Sequence, residues 1–564
     1  MIRPSARAPD EPRRKFTRGR EHPRGVVWFG IRSFWGHLRH LLASGIATED
    51  VDSRDWMTPD PPAELLRRIV RELGVESEAE TLSEALGREV WIDYLADTGD
   101  DVAVSRAVAR LVFAEYELPD PEREGEVLSA PRGDLLMFGG DTAYPVATAK
   151  EITNRVLVPF NQVLEEADDE RPRVLLGIPG NHDWYDGLDG FGRLFRRRDR
   201  QDDDDGPRPS TVGIWRRPFE HYADWAKELV KGGYVSKPPL LALSGYVPVQ
   251  TASYFALPLS PQLTLWAIDR QLKQLDFRQR RFFSEARDEL PHGRLWLMLP
   301  DPVFAFGEPS RTGVGMVTSL QLDLDAEPHF VLSGDIHHYE RLEDGPTLHV
   351  TAGGGGAFLH PACPDAPGRM RPTLSWPGPR ASAALLRQVP WKVAVGRSGL
   401  IPHILLLALY GPVLTTVREL GIAPTLPGLV VAWIGITVVF SLIGGLRSKR
   451  RGVIVALALL AAGAIVALPV APAAAASSWP AAALLLLPTT LLGAFVFGAY
   501  LALLTRFGLE QTQAFTALDH PGFKHFLRLR VRPTGQVDGW CIGKQDPLSQ
   551  EPPVLVDSFT FDPR

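Results

Sequence analysis

The sequence predicts an α/β domain that is followed by a bundle of membrane-spanning helices. Short apolar runs that end in glycine, an acid or histidine recur from about residue 91, and this pattern is typical of buried strands. Helical stretches such as DFRQRRFFSEARDEL separate the runs. After about residue 389 the apolar runs lengthen and lose their charges, as helices that cross a membrane do.

Length and composition set the outer limits of this prediction. The 564 residues exceed what one hydrophobic core organises, so several domains are expected. The net charge of -6 and the pI near 6.2 do not indicate the excess of basic residues that is typical of nucleic-acid-binding proteins. Nucleic acid is therefore not an expected partner. The two cysteines, Cys363 and Cys541, form no CxxC pair, which argues against a disulfide framework and favours a reducing compartment.

The first 90 residues contain a tail and a helical region. Residues 1–25 are basic and proline-rich but lack the apolar segment of a secretory signal, so we expect a disordered cytoplasmic tail. Residues 26–90 are predicted to be largely helical, because PPAELLRRIVREL places apolar residues at helical spacing.

The apolar runs between residues 91 and 388 end in residues that can bind metal ions. In chain order these ends supply Asp97, Gly140-Asp141, Gly180-Asn181-His182-Asp183 and Gly334-Asp335-Ile336-His337-His338. Separate strands would thus deliver carboxylate oxygens and imidazole to one place, which a site for two cations requires. Glycine directly before an aspartate lets the backbone turn sharply beside the metals.

The cluster at residues 180–183 combines residue types that suit different tasks. Asn181 offers a neutral amide oxygen, which binds a hard cation without adding charge. We expect His182 to hydrogen-bond an attacked phosphate and to protonate its leaving oxygen, with Asp183 orienting the imidazole. His182 and Asp183 are therefore the candidate catalytic residues.

In these motifs the chain resembles the calcineurin-like metallophosphoesterase superfamily. G-N-H-D after an apolar strand, at 180–183, is the most specific match, and the forms D-T-G at 97–99 and G-D-T-A-Y at 140–144 are those of purple acid phosphatases. The resemblance covers about residues 91–358. It implies an α/β fold of four layers, the αββα metallophosphoesterase sandwich, which we assign to residues 91–388.

The resemblance also implies a centre of two metal ions. One ion would bind Asp97, Asp141, Tyr144 and His337, and a phenolate with two carboxylates favours a hard ion such as Fe(III). The second ion would share Asp141 and bind Asn181. In the family, two histidines complete the second site.

The chain departs from the family pattern at both of those histidines. Gly334-Asp335-Ile336-His337 stands where G-H-x-H is expected, and a strand expected to end in histidine ends in Pro300-Asp301. Asp335, with Asp301 as a further candidate, would replace nitrogen ligands by oxygen. The expected cofactors are therefore two metal ions, iron and/or manganese, with magnesium or zinc as further options at the second site.

Simpler interpretations of several residues stay open at this point. Asp97 could be a turn residue, with Asp100 as the ligand in its place. Tyr144 could be a packing aromatic whose hydroxyl is hydrogen-bonded. The glycine run at 353–356 could be a flexible turn, or it could let backbone amides approach a bound phosphate.

Four segments between residues 398 and 504 have the length and polarity of membrane-spanning helices. They cover 398–417, 428–446, 453–470 and 481–504, and none contains an internal Asp, Glu, Lys or Arg. The basic loop 447–451 lies between the second and third segments. The positive-inside rule therefore predicts a multi-pass protein of the plasma membrane whose catalytic domain and both termini are cytoplasmic.

The residues after the last span are predicted to form a small β-rich unit. KHFLRLRVRP reads as a strand and is followed by a turn before GWCIGK. We therefore expect a cytoplasmic C-terminal appendage at 505–564.

Together these features predict a membrane-anchored, metal-dependent phosphoesterase. It would hydrolyse a phosphate-ester substrate at the cytoplasmic face of the lipid bilayer by attack of metal-activated hydroxide. One alternative is a phosphoprotein phosphatase in membrane signalling, which would need a shallow site open to a peptide. Another is a degenerate, non-catalytic membrane protein with a phosphoesterase fold, an alternative that the missing histidines motivate.

Overall fold

The computed structural model describes residues 25–30, 57–166, 171–197, 241–271, 275–289, 293–362, 369–397, 399–445, 450–518 and 522–564. The tail at 1–24, Cys363 and residues 447–449 of the basic loop lie outside these ranges, as do residues 31–56 of the region predicted to be helical.

Most of the strands in the described residues belong to two large sheets. The strands are β1 (Val90–Leu95), β2 (Tyr116–Pro119), β3 (Val127–Ala130), β4 (Leu135–Phe138), β5 (Arg173–Gly177), β6 (Tyr246–Pro248), β7 (Phe255–Ser260), β8 (Leu263–Ala267), β9 (Arg294–Leu299), β10 (Phe304–Ala305), β11 (Glu308–Pro309), β12 (Phe330–Ser333), β13 (Tyr339–Asp344), β14 (Thr347–Ala352), β15 (Leu374–Trp376), β16 (Lys524–Val531), β17 (Val537–Lys544) and β18 (Val554–Phe561).

The helices lie outside the sheets or form the apolar region near the C-terminus. They are α1 (Pro62–Glu72), α2 (Leu82–Leu86), α3 (Val102–Val112), α4 (Ala149–Ile152), α5 (Val158–Leu164), α6 (Asn181–Trp184), α7 (Asp189–Phe195), α8 (Phe277–Glu289), α9 (Arg311–Ser319), α10 (Pro379–Leu386), α11 (Val389–Ala394), α12 (Ile401–Leu420), α13 (Ile422–Ile443), α14 (Arg451–Ala467), α15 (Val470–Ala475) and α16 (Trp479–Arg506).

Each of the two large sheets has seven strands within the described ranges. The first has the order β18-β17-β16-β1-β4-β5-β6, and β1, β4, β5 and β6 run parallel in it. The second has the order β15-β13-β14-β12-β9-β8-β7, and β14, β12, β9 and β8 run parallel. The mixed α/β fold class predicted from the sequence is confirmed.

The apolar residues of these strands alternate between two cores. In β1, Ile92 and Tyr94 face a core shared with the second sheet, whereas Trp91 and Leu95 face helices. Helices α3, α5 and α7 pack on the outer face of the first sheet, and α8 and α9 cover that of the second. Each large sheet thus has helices on the face that points away from the shared core.

The C-terminal segment is β-rich, as predicted, but it differs from the separate appendage that we expected. Strand β16 pairs antiparallel with β1, from Val90↔Val531 to Tyr94↔Leu527, so β16 to β18 extend the first sheet. The partners are far apart in the chain, and their pairing leaves no local sequence signal. The segments before and after the four apolar helices therefore share one sheet.

A fully buried arginine fixes β16 against the rest of the first sheet. The Arg528 Nε donates to Asp93 Oδ1 on β1 at 2.7 Å, and both side chains are buried. Its Nη atoms donate to the carbonyl oxygens of Val112, Ala114 and Ala130. The charge of Arg528 is therefore compensated without water.

Four helical segments of the described residues are long and apolar enough to cross a membrane. They cover Ile401–Leu420, Ile422–Ile443, Arg451–Ala475 and Trp479–Arg506. The four predicted spans are thus confirmed as membrane-type helices, with bounds that differ from the predicted ones by several residues. The second helix begins earlier than predicted because it continues through Pro427, which lies inside α13.

Replacing the buried arginine should destabilise the whole first sheet. We expect Arg528→Ala to lower the free energy of unfolding by about 3–5 kcal/mol, because Asp93 would remain buried without its partner. Thermal unfolding of the detergent-purified chain measures this change. Arg564→Ala is the matched control, since Arg564 pairs with Asp562 at the exposed C-terminus. Equal melting temperatures for the two variants would contradict the role assigned to Arg528.

Candidate metal centre

The polar residues of the predicted site follow strands whose carboxyl ends meet. Asp97, Asp141 and Asn181 come after β1, β4 and β5 of the first sheet, and Asp301 and Asp335 after β9 and β12 of the second. Carboxyl ends of parallel strands lie at one edge of a sheet, and the two sheets pack face to face. The fold therefore brings residues separated by more than 200 positions to one place.

The phenol oxygen of Tyr144 lies at the centre of one group of side chains. It is 2.9 Å from Asp97 Oδ1, 3.1 Å from Asp141 Oδ2 and 3.0 Å from His337 Nε2. His337 Nε2 is 3.3 Å from Asp97 Oδ1. Neighbouring ligands of an octahedral ion with bonds of about 2.1 Å lie about 3.0 Å apart. The four residues predicted to hold the first metal therefore have the spacing of a ligand set.

This set depends on the tyrosine. No group of three or more His, Cys, Asp or Glu side chains forms a preformed metal site by itself in the part of the chain that the structure describes. Asp97, Asp141 and His337 instead converge on the phenol oxygen of Tyr144. The four side chains form one buried cluster around that oxygen.

The ring of His337 is oriented as in metal-binding histidines. Its Nδ1 lies 2.8 Å from the carbonyl oxygen of Phe358, which can only accept, so Nδ1 carries the proton. Nε2 is then left with its lone pair directed at Tyr144 and Asp97. Burial, together with the nearby positive charge of Lys524, lowers the pKa of His337 well below its usual value. The imidazole is therefore neutral, as a ligand must be.

Three of the aspartates have an unusual backbone conformation. The φ angles of Asp97, Asp141 and Asp335 are 60°, 49° and 64°. A positive φ is uncommon for residues other than glycine, and it clusters at functional sites because the surrounding structure must hold it in place. This geometry turns each carboxylate back toward the site directly after its strand.

Two glycines permit close approach to the carboxylates. A Cβ at Gly180 would lie 2.1 Å from Asp141 Oδ1, and one at Gly353 would lie 2.6 Å from Asp97 Oδ2. Gly353 begins the run 353–356, which the sequence left open as a flexible turn or a phosphate loop. Gly355 donates its N–H to the carbonyl oxygen of Ala96 at 2.9 Å. The run is thus packed against the end of β1.

The two candidate catalytic residues are held differently from the expectation. His182 Nδ1 donates to the carbonyl oxygen of Pro145 at 2.7 Å, so this carbonyl orients the ring. The carboxylate of Asp183 accepts from the N–H groups of Gly180, at 2.9 Å, and Thr142. Asp183 therefore fixes the turn that carries Asn181 and His182.

A small recess adjoins the Tyr144 group. It encloses no space for a water molecule, and Asp141, Asn181, Arg270, Pro300, Asp301 and Asp335 line it. The Asn181 Nδ2 donates to Tyr185 Oη at 3.1 Å, which leaves the amide oxygen for the recess. These are the residues expected around the second metal, with one addition. The guanidinium of Arg270 is among them, 3.2 Å from Asp301 Oδ2.

Burial makes ionisation of the aspartates unfavourable. Burial, and then the charge of Asp97, raises the pKa of Asp141 to about 7. Burial, and then the charge of Asp141, raises the pKa of Asp183 to about 7. Burial also raises the pKa of Asp335 to about 6, although Arg270 acts in the opposite direction. Such carboxyls need nearby positive charge to be ionised at neutral pH.

The structure decides one of the open interpretations. Asp100 accepts a hydrogen bond from the Val26 N–H at 2.8 Å, so it holds the N-terminal segment. Asp97, rather than Asp100, contacts Tyr144. The neighbour of His337, His338, is buried, and its Nε2 lies 3.2 Å from Glu340 Oε2.

Several residues near the site were not identified from the sequence. Arg270 directly follows the apolar run LTLWAID and was not among the candidate residues. His360 stacks on His337 with ring centroids 4.2 Å apart. Trp28 approaches Tyr144 with ring centroids 6.0 Å apart. Lys524 lies on β16, and nothing local connects it with the other residues.

Comparisons with known proteins identify no family for this chain. No family model and no curated protein matches it. Among solved structures, a chain described as GAP50, the anchor in the inner membrane complex of Plasmodium, matches with 10% identity and a TM-score of 0.27 over 51% of this chain and 78% of that chain. PhoD matches with 10% identity and a TM-score of 0.25 over 50% of this chain and 60% of that chain. Similarity at this level carries no conclusion about activity.

The raised pKa of Asp141 predicts that the difference in melting temperature between wild type and Asp141→Asn depends on pH when a chelator removes metal ions. In the folded wild type this carboxyl stays protonated to about pH 7, whereas in the unfolded chain it ionises near 3.8. The folded state therefore binds more protons, and its stability falls as pH rises through this window. The amide of Asp141→Asn cannot ionise. We expect the variant to gain melting temperature relative to wild type between pH 5 and pH 7.5.

A bound metal ion should reverse the order of the melting temperatures of wild type and Asp141→Asn. With Mn²⁺ at pH 7.5, wild type should melt above Asp141→Asn, because the ion binds the folded state only. Asp546→Asn, in an exposed turn of the C-terminal segment, is the control and should show neither trend. A constant difference between wild type and Asp141→Asn across pH, with and without Mn²⁺, would rule out Asp141 as a buried metal ligand.

Proposed function

We propose that this protein is a metal-dependent phosphoesterase, anchored in the membrane, that hydrolyses a phosphate ester at the cytoplasmic face. The observation that carries the proposal is the spacing of Asp97, Asp141 and His337 around the phenol oxygen of Tyr144, at 2.9–3.1 Å. Two carboxylates, a phenol and a neutral imidazole form a donor set for a hard cation such as iron or manganese. When bound, such an ion supplies hydroxide near neutral pH and stabilises negative charge on phosphate.

His182 is the residue proposed to act on the leaving group. Its Nδ1–H is fixed on the Pro145 carbonyl, so a proton given to the leaving group would come from Nε2. The backbone N–H of His182 also donates to Asp141 Oδ1 at 2.8 Å, which ties the imidazole to the metal ligand. We assign Asp183 a positioning role, because it binds the N–H groups of the same turn.

The recess favours a substrate whose phosphate is presented at a shallow surface. Pockets that enclose a drug-sized ligand have volumes of roughly 300–1,000 Å³, whereas this recess encloses no space for a water molecule. A phosphate would therefore bind at its mouth, beside the partly exposed Tyr185. A phosphoprotein phosphatase is therefore the second candidate, since a phosphopeptide presents its phosphate in this way.

Substitutions of His182 and of Asn181 should respond differently to the leaving group of the substrate. We expect His182→Ala to reduce kcat by about 10²- to 10⁴-fold on an alkyl phosphate such as phosphoserine. The loss on p-nitrophenyl phosphate should be smaller, because nitrophenolate leaves without a proton. Asn181→Ala should reduce turnover of both substrates alike, because Asn181 lines the recess at which either phosphate would bind. Turnover by the detergent-purified chain is measured with Mn²⁺, Fe²⁺, Mg²⁺ or Zn²⁺.

The control for these variants is Asn161→Ala. Asn161 bonds the backbone of Ala242 and Ser244, away from the recess. Unchanged turnover in Asn181→Ala would contradict the proposed site. A folded wild type that binds no metal and hydrolyses neither substrate would favour the non-catalytic alternative.

The proposed orientation can be tested with single cysteines. Ser477 is exposed between the third and fourth candidate spans, and Gln550 is exposed in the C-terminal segment. In a chain with Cys363 replaced by serine, we expect Ser477→Cys to react with a membrane-impermeant maleimide in intact cells. Gln550→Cys should react only after permeabilisation. The opposite pattern would reverse the proposed topology.

A further inference from the structure

Arg270 is held in a rigid position at the end of β8. The neighbouring Asp269 accepts hydrogen bonds from Ser253 Oγ at 2.6 Å and Trp184 Nε1 at 2.9 Å. Gln279 bonds both the backbone N–H and the carbonyl of Asp269, each at 2.9 Å. The backbone that carries the guanidinium is therefore fixed between the two sheets.

The guanidinium lies where the second metal ion is expected. It forms an ion pair with Asp301 Oδ2 at 3.2 Å, and it lines the same recess as Asn181, Asp141 and Asp335. Asp301 and Asp335 occupy the two positions at which the family pattern has histidine. Exchange of two neutral ligands for two carboxylates adds negative charge, and an arginine adds a permanent positive charge beside them.

The charges around Arg270 keep it protonated. Burial lowers its pKa, but the carboxylates of Asp301, Asp335 and Asp141 more than offset this effect, so the pKa is raised. A guanidinium has only donors and cannot bind a metal. Its charge opposes a second cation in the recess, where it already forms an ion pair with Asp301. The donor set of the recess therefore does not fit a second metal ion.

We propose that the guanidinium of Arg270 takes the place of the second metal ion, so that the centre holds one metal ion, at Asp97, Asp141, Tyr144 and His337. Arg270 neutralises Asp301 and Asp335 and presents its remaining N–H groups to the phosphate of the substrate. This inference rests on the proposed function, and it replaces the expectation of two metal ions. A planar fork of donors matches two phosphate oxygens, as a second cation otherwise would.

Metal stoichiometry tests the proposal without measuring activity. The full-length protein in detergent is loaded with excess Mn²⁺, dialysed and analysed by inductively coupled plasma mass spectrometry. We expect one Mn²⁺ per chain in wild type and two in Arg270→Met, because loss of the guanidinium leaves Asp301 and Asp335 for a cation. Electron paramagnetic resonance should show isolated ions in wild type and paired ions in the variant.

Two further variants keep this test interpretable. Arg270→Lys retains the charge and should keep one Mn²⁺ per chain. Arg294→Met, which removes a partly buried arginine paired with Glu327 at 2.6 Å, is the matched control and should also keep one. Two ions in wild type, or one ion in a folded Arg270→Met, would overturn the role of Arg270 and leave a metal-dependent phosphoesterase intact. No ion in wild type would instead overturn the proposed function.

Inorganic phosphate is the probe for the second part of the proposal. Calorimetric titration at one equivalent of Mn²⁺ should give an affinity about tenfold or more lower for Arg270→Lys than for wild type, because lysine lacks the two-pronged geometry. Arg294→Lys should bind phosphate as wild type does. Equal affinity in Arg270→Lys and wild type would show that Arg270 does not contact the phosphate.

Discussion

The site depends on one constraint, which is that several carboxylates lie close together inside the protein. Asp97, Asp141, Asp183 and Asp301 are all buried, and burial opposes their ionisation. The shared apolar core of the two sheets brings these groups together in spite of their mutual repulsion. Backbone N–H groups compensate part of the charge: the N–H of Asp335, from the second sheet, donates to Asp97 Oδ2 at 3.0 Å. Arg270, 3.2 Å from Asp301, is a cation that the chain itself provides beside these carboxylates.

The sequence predicted the parts of this arrangement that have a local signal. Apolar runs with polar ends placed Asp97, Asp141 and Asn181 at the ends of strands, and four charge-free segments predicted the membrane helices. The motif at 180–183 did not show that the Pro145 carbonyl, rather than Asp183, orients His182, because that contact depends on the path of another loop. Arg270 was missed for a similar reason: its position opposite Asp301 follows from the pairing of β8 with β9, which no spacing in the sequence records.

The chain after the membrane helices completes the site as well as the sheet. Lys524 on β16 is buried, and its Nζ donates to the carbonyl oxygen of Ala357, next to the glycine run. Burial lowers the pKa of Lys524 to about 8, while Asp100 and Asp97 act in the opposite direction. The backbone N–H of His525 donates to the Gly354 carbonyl at 3.1 Å. The loop against Asp97 is therefore held by residues that follow the last membrane helix.

The segment 25–30 provides a second connection between the site and the membrane helices. The ring of Trp28 packs on Phe358 at 4.8 Å between centroids and lies edge-on to Tyr144. The adjacent Phe29 packs on Phe497 of α16, and its carbonyl accepts the N–H of Ile401 at the start of α12. The first and last of the four apolar helices thus contact Phe29. Its neighbour Trp28 packs against Phe358 and Tyr144 at the site. Strand β16, which carries Lys524, also directly follows the last of these helices in the chain. The apolar helices therefore help to position the site, because both Phe29 and β16 depend on where these helices lie.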